Sequence, residues 1–559
     1  MKKFFYLFIC IFAMSNVNAE EKQVPEEEAA YWIWYDSSRA HKRRQAPDIT
    51  TADLCLNGAF NSAEIQHCQV QKLNPDKENK ITKLHIAALT GNLSDLKENE
   101  IKSLVKKQDA SGRTPIFYAK DRKTIEKLLK YDKEAYKHTD KYGFTPLFMA
   151  RNLDCAKCLL DEGCSVTNRS ELGNTPLHIT GNVDIANELL KQGKDENLDL
   201  LIDENNAGQT PLHIQIKYED KSKIVEMLIN KMHLSNNLFK RDKAGNTVLH
   251  YVTQFDLAEW LINREKNLVN AANEKGETPI FTTADTKIGD LLLKNDCKTN
   301  IRNSDDQTPL HVTKNAEMVK FLADYIDINS KTEYGFTPLH LAKNYEVAEA
   351  LIEKGAQLNE KTKNGVTPLH RHVKEGNKDI ASLLIEKGAD VNIKTEHGFT
   401  PIFDVRDPEL AKKIAAKADP SIKVRDGNWN ALHWHIEMAD YPNNKVRETV
   451  VRAIIEARPQ MVKTSTKYNY TPLHHVSELD TVKALIKEGA DINASAKDGT
   501  TPLHSHIKRG NYNIVRHLIE QKGINLNPKD NAGHTPTFYC KDLNFKKRVL
   551  VEEKGAKEE

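Results

Sequence analysis

Histidine is the residue type whose spacing in this sequence comes closest to that of a chemical site. Imidazole nitrogens are common zinc ligands, but two side chains that lie two positions apart on a helix point about 200° from each other. No cysteine or carboxylate completes a zinc ligand set with any of the pairs. We therefore expect them to pack inside the protein, and we predict no metal site. The 21 histidines include three His-x-His pairs, namely His370 and His372, His433 and His435, and His504 and His506.

Two cysteines could form a redox pair. Cys155 and Cys158 have the Cys-x-x-Cys spacing, and we expect them near the start of a helix, where a thiol pKa is lowered. Against this, Cys155 aligns with the apolar Ile185 in the next part of the sequence, and small buried thiols are common in protein cores. The pattern favours a structural role and leaves a thiol-redox role open. Separately, Cys55 and Cys68 could form a disulfide in an oxidising compartment.

The first nineteen residues have the organisation of a secretory signal peptide. Lys2 and Lys3 precede the apolar run Phe4–Met14, and Val17–Ala19 provides a cleavage site of small residues. We expect residues 1–19 to be removed and the mature chain to begin near Glu20, after export to the periplasm or beyond by the Sec route. The apolar run is shorter than the roughly 20 residues that span a bilayer, so no membrane span is expected in the mature chain.

The mature chain is electrically balanced. Without Lys2 and Lys3, 79 basic residues face 79 acidic ones. Because net charge is zero, nothing global attracts the chain to nucleic acid, and we predict no nucleic-acid partner.

A short motif, YGFTPLH at residues 334–340, recurs with variations along most of the chain. A catalytic signature normally occurs once, whereas a period near 30 residues is typical of a structural repeat. Aligned on the threonine, fifteen units begin at Thr82, Thr114, Thr145, Thr175, Thr210, Thr247, Thr278, Thr308, Thr337, Thr367, Thr400, Asn430, Thr471, Thr501 and Thr535.

Each unit has the composition of a turn followed by two helices. A polar turn ends in glycine, a residue that readily adopts positive φ, and Asp306, Asn428 and Asn469 replace that glycine in three units. The threonine is a good N-cap, and the proline after it suits the first helical position. A second apolar helix follows and closes on Lys-Gly-Ala.

The units differ in length. Three of them, which begin at Thr175, Thr337 and Thr471, are shorter by three residues, so their first helices should lose most of a turn. Longer first helices are expected in the units that begin at Thr82, Thr210, Thr367, Asn430 and Thr501.

This turn-Gly-x-Thr-Pro-Leu-His pattern resembles the ankyrin repeat. The resemblance implies an all-α fold, an ankyrin-repeat solenoid of about fifteen helix-turn-helix units with β-turn fingers, over residues 81–556. It also implies that the motif histidine forms hydrogen bonds within and between repeats, and that the protein binds other proteins. The combination with a signal peptide is similar to secreted multi-repeat proteins of bacteria that live inside eukaryotic cells.

Binding in the resembled family uses the fingers and the first-helix face, so aromatic residues beside the turn glycine are candidate contacts. Exposed rings bury much area at a low entropic cost. The alternative is that these rings pack on neighbouring fingers and on Lys stems such as Lys363 or Lys467. The candidates are Tyr142, Phe144, Tyr334, Phe336, Phe399, Trp429, Tyr468 and Tyr470.

Three readings of function follow from the sequence. The chain carries no phosphate-binding loop, no metalloprotease motif and no nucleophile elbow, so we expect a non-enzymatic monomer that needs no cofactor. We expect a scaffold that is exported and acts on host proteins. The alternatives are a periplasmic scaffold that binds envelope proteins and, less favoured, a thiol-redox or other enzyme. Residues 20–80, which precede the repeats, are expected to cap the first repeat or to dock a partner.

Overall fold

A computed structural model describes residues 80–218, 223–234, 238–424, 428–439, 445–547, 550 and 554–556. The predicted signal peptide, almost all of the leader and the proposed Cys55–Cys68 disulfide lie outside these residues. The described residues divide into two compact units: the first runs to Thr283 and includes Asp290–Cys297, and the second contains Ala284–Gly289 and the residues from Lys298 onward.

Each predicted repeat begins on a helix that follows its finger turn. The first helices are α-helical or 3-10 and often a single turn long. In the first unit they are Lys83–Thr90, Pro115–Tyr118, Pro146–Met149, Pro176–Ile179, Pro211–Tyr218, Val248–His250 and Pro279–Thr282. In the second unit they are Pro309–Val312, Pro338–Leu341, Pro368–Glu375, Pro401–Phe403, Ala431–Ala439, Pro472–His475, Pro502–Arg509 and Pro536–Tyr539.

A second helix follows in every repeat and buries apolar residues in the core. These helices are Glu98–Leu104, Arg122–Leu129, Leu153–Asp161, Val183–Asp195, Lys223–Leu234, Phe255–Arg264, Thr286–Lys294, Ala316–Leu322, Tyr345–Glu353, Lys378–Glu386, Pro408–Lys417, Lys445–Ala457, Leu479–Lys487, Tyr512–Ile519 and Leu543–Phe545. Short 3-10 turns at Leu93–Asp95, Ala135–Lys137, Lys266–Asn270 and Pro459–Lys463 complete the elements. The described residues contain one isolated β-bridge, between Val424 and Trp429, and no longer strand.

The finger turn needs left-handed backbone, as the sequence predicts. Gly335 has φ +84°, and a Cβ there would lie 2.9 Å from the Cα of Thr362 in the next finger. The three substitutes keep the same conformation, with φ 58° at Asp306, 56° at Asn428 and 60° at Asn469. The prediction that these residues replace glycine for a backbone reason is confirmed.

The predicted difference in repeat length is also confirmed. The first helices Pro176–Ile179, Pro338–Leu341 and Pro472–His475 have 4 residues each. Those of Pro368–Glu375 and Pro502–Arg509 have 8. These three one-turn helices are each followed by a longer first helix, at Pro211–Tyr218, Pro368–Glu375 and Pro502–Arg509, so the last carbonyls of each lie against a longer neighbour.

Helix capping agrees with the sequence expectation in one respect and adds to it in another. The motif threonine occupies the N-cap in a capping box with the motif histidine, and its hydroxyl also contacts the histidine ring, at 2.8 Å between Thr337 Oγ1 and His340 Nδ1. The stronger side-chain caps belong to the second helices, which the sequence reading missed. Asn344 Oδ1, for example, accepts from the Val347 backbone N–H at 2.8 Å.

Candidate partner-binding surface

In most repeats that carry it, the motif histidine forms a hydrogen bond to the following finger. At His340, Nδ1 accepts a hydrogen bond from the Thr337 backbone N–H at 3.1 Å, while Nε2 lies 3.1 Å from the Val366 carbonyl of the following finger. A backbone N–H can only donate and a carbonyl can only accept, so the ring is neutral with its proton on Nε2. Burial lowers the pKa of His340 to about 4, which agrees with that state. The role that the resemblance implied is confirmed.

The second histidine of each His-x-His pair has a separate role. His372 Nε2 donates to the Leu339 carbonyl at 2.9 Å, His435 Nε2 to Ile402 at 2.7 Å and His506 Nε2 to Leu473 at 2.9 Å. Each acceptor lies in the one-turn first helix of the preceding repeat, where the helix ends too early to satisfy it.

A matching contact uses a different side chain. Gln215 donates its amide to the His178 carbonyl at 2.9 Å, again from a long repeat to the short one before it. Histidine and glutamine thus serve as interchangeable buried donors, which explains the pairs without a metal. Among the described residues, no group of three or more His, Cys, Asp or Glu side chains is arranged to hold a metal ion.

The thiols lie in an environment opposite to that of a redox site. Cys155 and Cys158 are buried on the helix Leu153–Asp161. Burial raises the pKa of each thiol to about 11, and that of Cys164 to about 12. The position of Cys155 near the helix N-terminus therefore does not produce the lowered pKa that redox chemistry needs.

The finger tips of the second unit carry two strongly exposed rings. Tyr334 is 65% exposed and Tyr468 is 56% exposed, each directly before its turn residue. The two side chains hold equivalent positions in their repeats, because Tyr334 precedes the turn residue Gly335 and Tyr468 precedes the turn residue Asn469. Both are large aromatic surfaces on rigid hydrogen-bonded turns, which is the kind of side chain that contributes most to binding.

The ring after the turn residue is half-buried and packs toward the first helices. Phe336 lies edge-on to His340, with ring centroids 5.7 Å apart, and the Arg371 guanidinium lies 4.9 Å from the Phe336 centroid. Phe399 lies 5.2 Å from the Trp434 ring of the next repeat. These rings contribute to the packing between repeats while leaving an edge at the surface.

Trp429 and Tyr470 share one histidine. The Trp429 ring is 6.1 Å from His475 and the Tyr470 ring is 5.4 Å from it. Tyr470 also donates its hydroxyl to Asp498 at 2.7 Å. The structure thus brings four predicted contact residues, Phe399, Trp429, Tyr468 and Tyr470, into consecutive fingers of the second unit.

The two predicted residues of the first unit form a smaller cluster. Phe144 packs on Phe148 at 5.0 Å, beside Ile179, and is half-buried. Tyr142 lies under the Lys141 ammonium, 4.9 Å from the ring centroid. The half-exposed Tyr142 ring thus packs on a lysine, as the alternative interpretation of these aromatic residues expects. The lysine is Lys141, which directly precedes Tyr142.

Sequence reasoning missed the residues on which the finger rings pack. Arg371, Trp434 and His475 each stand four residues after the N-cap of their repeat, and each contacts an aromatic finger residue. The sequence could have indicated these residues, because the position directly after the Thr-Pro-Leu-His motif varies from one repeat to the next. In the part of the chain that the structure describes, no helix is both long and apolar enough to cross a bilayer.

Comparison with known protein families identifies the repeat. The family model described as ankyrin repeats (3 copies) matches residues 120–200, 151–238, 181–270, 282–362, 343–405 and 475–556. Together these segments span more than half of the 559 residues.

Similar proteins share only part of their length with this chain. Rabankyrin-5 of Homo sapiens is 34% identical over 96 residues, which are 16% of this chain and 8% of that protein. The ankyrin repeat protein FPV230 of fowlpox virus (strain NVSL) is 36% identical over 77 residues, 13% of this chain and 40% of its own length. The crystal structure of the ankyrin repeat protein EF0377 is 22% identical with a TM-score of 0.29, over 32% of this chain and 93% of that one. On the family match and the repeat geometry, the chain belongs to the ankyrin repeat family.

Proposed function

We propose that this protein is a non-enzymatic scaffold that binds another protein through the fingers of its second unit. The finger strip consists of Tyr334, Phe336, Phe399, Trp429, Tyr468 and Tyr470. The observation that carries the proposal is the exposure of Tyr334 and Tyr468 at the tips of turns that glycine or asparagine hold rigid. Ankyrin repeats are typically protein-interaction modules, and the buried, high-pKa thiols argue against redox chemistry.

The proposal includes export of the mature chain. Residues 1–19 support a Sec-type signal, and the combination with many repeats supports action on host proteins after secretion. Residence in the periplasm, with an envelope protein as partner, is the alternative. Fractionation of the producing cell distinguishes the two, because a periplasmic protein stays with the cell and a secreted one is recovered outside it.

Affinity capture with residues 20–559 tests the binding role. The Tyr334→Ser and Tyr468→Ser double variant should lose the captured partner, since these rings have few intramolecular contacts to lose and should leave the thermal unfolding unchanged. Tyr325→Ser and Tyr345→Ser form the matched control, because these rings are 50% and 40% exposed but lie at the second helices. Retention of the partner by the finger variant, or its loss from the control, would contradict the proposal.

A further inference from the structure

Four consecutive repeats of the second unit carry a cation at the same position. Lys314, Lys343, Lys374 and Arg406 each stand six or seven residues after the first residue of their motif, at the end of the first helix or just beyond it. All four side chains are exposed. We call them the basic row. The row has defined ends, since the equivalent position is Ala284 in the repeat before it and Glu437 in the repeat after it.

The basic row lacks the ion pairs that the second helices of the same repeats form. There, Lys320 pairs with Glu353 at 3.3 Å, Lys354 with Asp324 at 2.8 Å and Lys413 with Glu386 at 2.9 Å, each across a repeat boundary. Within the described residues, none of the four row cations makes such a pair. The second-helix face therefore neutralises its lysines internally, whereas the first-helix face leaves its cations available.

Acids also lie near the row, and one of them is already paired with an arginine outside it. Glu375 pairs with Arg371 at 2.8 Å, and Asp404 is half-buried beside Arg406. The adjoining fingers carry more exposed basic residues than acidic ones, namely Lys361, Lys363 and Lys394 compared with Glu333 and Glu396.

A second arginine adds to the positive charge at one end of the row. Arg447 donates to His435 Nδ1 at 3.1 Å, and the His435 ring in turn donates to the Ile402 carbonyl. Burial, and then the neighbouring Arg406, lower the pKa of Arg447, while Asp404 opposes that effect. Arg447 and Arg406 therefore both contribute positive charge at this end of the row.

The spacing of the row limits the shape of its ligand. First helices of successive repeats pack side by side in this unit. Packed helices lie about 8–10 Å apart, so the row cations recur at about that interval. A polyproline II segment has three residues per turn and advances about 3.1 Å per residue, which places every third side chain on the same face, about 9 Å from the last.

We propose that the basic row binds an acidic segment of the partner protein in the polyproline II conformation, with a carboxylate at every third residue and apolar groups turned toward Tyr334, Phe336 and Phe399. This inference rests on the proposed binding function and adds the chemistry of the partner. Four cations match a segment of about ten residues, because nine steps of about 3.1 Å cover three intervals of about 8–10 Å. A protein segment is favoured over nucleic acid because the mature chain, with 79 basic and 79 acidic residues, has no net positive charge to attract a polyanion.

Fluorescence anisotropy with the mature chain and two labelled 12-residue peptides tests the proposal. One peptide carries glutamate at positions 1, 4, 7 and 10, and its isomer has the same composition with the four glutamates adjacent. The spaced peptide should bind at least tenfold more tightly, and its affinity should fall as salt rises. Equal affinity for the two peptides would overturn the inferred register.

A charge-reversed variant separates the row from general electrostatics. Lys343→Glu, Lys374→Glu and Arg406→Glu together should weaken the spaced peptide at least tenfold. The control Lys354→Glu, Lys387→Glu and Lys413→Glu changes the charge equally on the second helices and should not weaken it. Circular dichroism melts check that both remain folded, and single substitutions at Lys343 replace the triple variant if it does not fold.

Two further outcomes would overturn the inference. An oligothymidine strand that binds through the row more tightly than the spaced peptide would indicate nucleic acid. A partner that is lost from the Tyr334→Ser and Tyr468→Ser variant but kept by the row variant would leave the binding function standing and refute the acidic ligand.

Discussion

His506 allows the link between short and long repeats to be measured. Its ring is fully buried, and Nε2 donates at 2.9 Å to the Leu473 carbonyl in the one-turn helix Pro472–His475. His506→Leu keeps most of the volume and removes the donor, so a buried carbonyl loses its partner at a cost of about 1–3 kcal/mol. His506→Ala also opens a cavity, which brings the total to about 3–5 kcal/mol. His506→Gln should cost less than either, because Gln215 makes the equivalent bond to His178 at 2.9 Å.

Hydrogen exchange measured by mass spectrometry is the suitable assay, because unfolding of a long repeat array need not be two-state. A loss of about 2 kcal/mol accelerates exchange roughly 30-fold in the peptides that cover residues 472–476 and 502–511. The leucine variant should show this acceleration and the glutamine variant should not. The reasoning is refuted if leucine matches wild type, or if glutamine is as damaging as alanine.

Three other predictions follow from the burial of side chains and from the backbone geometry of the finger turns. Burial lowers the pKa of His340, His474 and His506 to about 4, so the unfolded chain takes up protons between about pH 6.5 and 4 that the folded chain does not. The free energy of unfolding should therefore fall as pH drops through this window, by up to about 3 kcal/mol for each histidine. The melting temperature should fall with it, and a melting temperature that does not change with pH would contradict the prediction. Gly335→Ala should destabilise the protein by about 1–2 kcal/mol more than Gly355→Ala in urea titrations. Both glycines have positive φ, but only at Gly335 would a Cβ lie 2.9 Å from a backbone atom. Equal losses of stability would show that this close approach is harmless. Cys158, whose pKa burial raises to about 11, should react with iodoacetamide at pH 7 only after unfolding, with Cys158→Ser as the control, and rapid labelling of the folded chain would restore the redox reading.

Much of the fold could be predicted because the repeat depends on local backbone requirements. The turn conformation at Asp306, Asn428 and Asn469 followed from the few residue types that tolerate positive φ. The short and long first helices followed from counting residues between motif threonine and closing glycine. Such features are visible in one sequence because each is fixed within a single repeat.

The contacts between repeats could not be predicted in the same way. The sequence suggested that His372, His435 and His506 pack inside, but not that they satisfy carbonyls about thirty residues earlier. It also treated the eight aromatic candidates alike, whereas Phe336 and Phe399 pack on Arg371 and Trp434 and only Tyr334 and Tyr468 are strongly exposed. The ring before the turn residue is exposed, as at Tyr334 and Tyr468, whereas the ring after it packs on the residue four positions after the N-cap of the next repeat, as Phe336 does on Arg371.

Hydrogen exchange of the mature chain, alone and with its captured partner, tests the binding account most directly. We predict protection in the finger segments 331–336 and 465–470 and across the first helices between them, while the second helices exchange at unchanged rates. Protection confined to the second helices, or none in the fingers at saturating partner, would contradict the account.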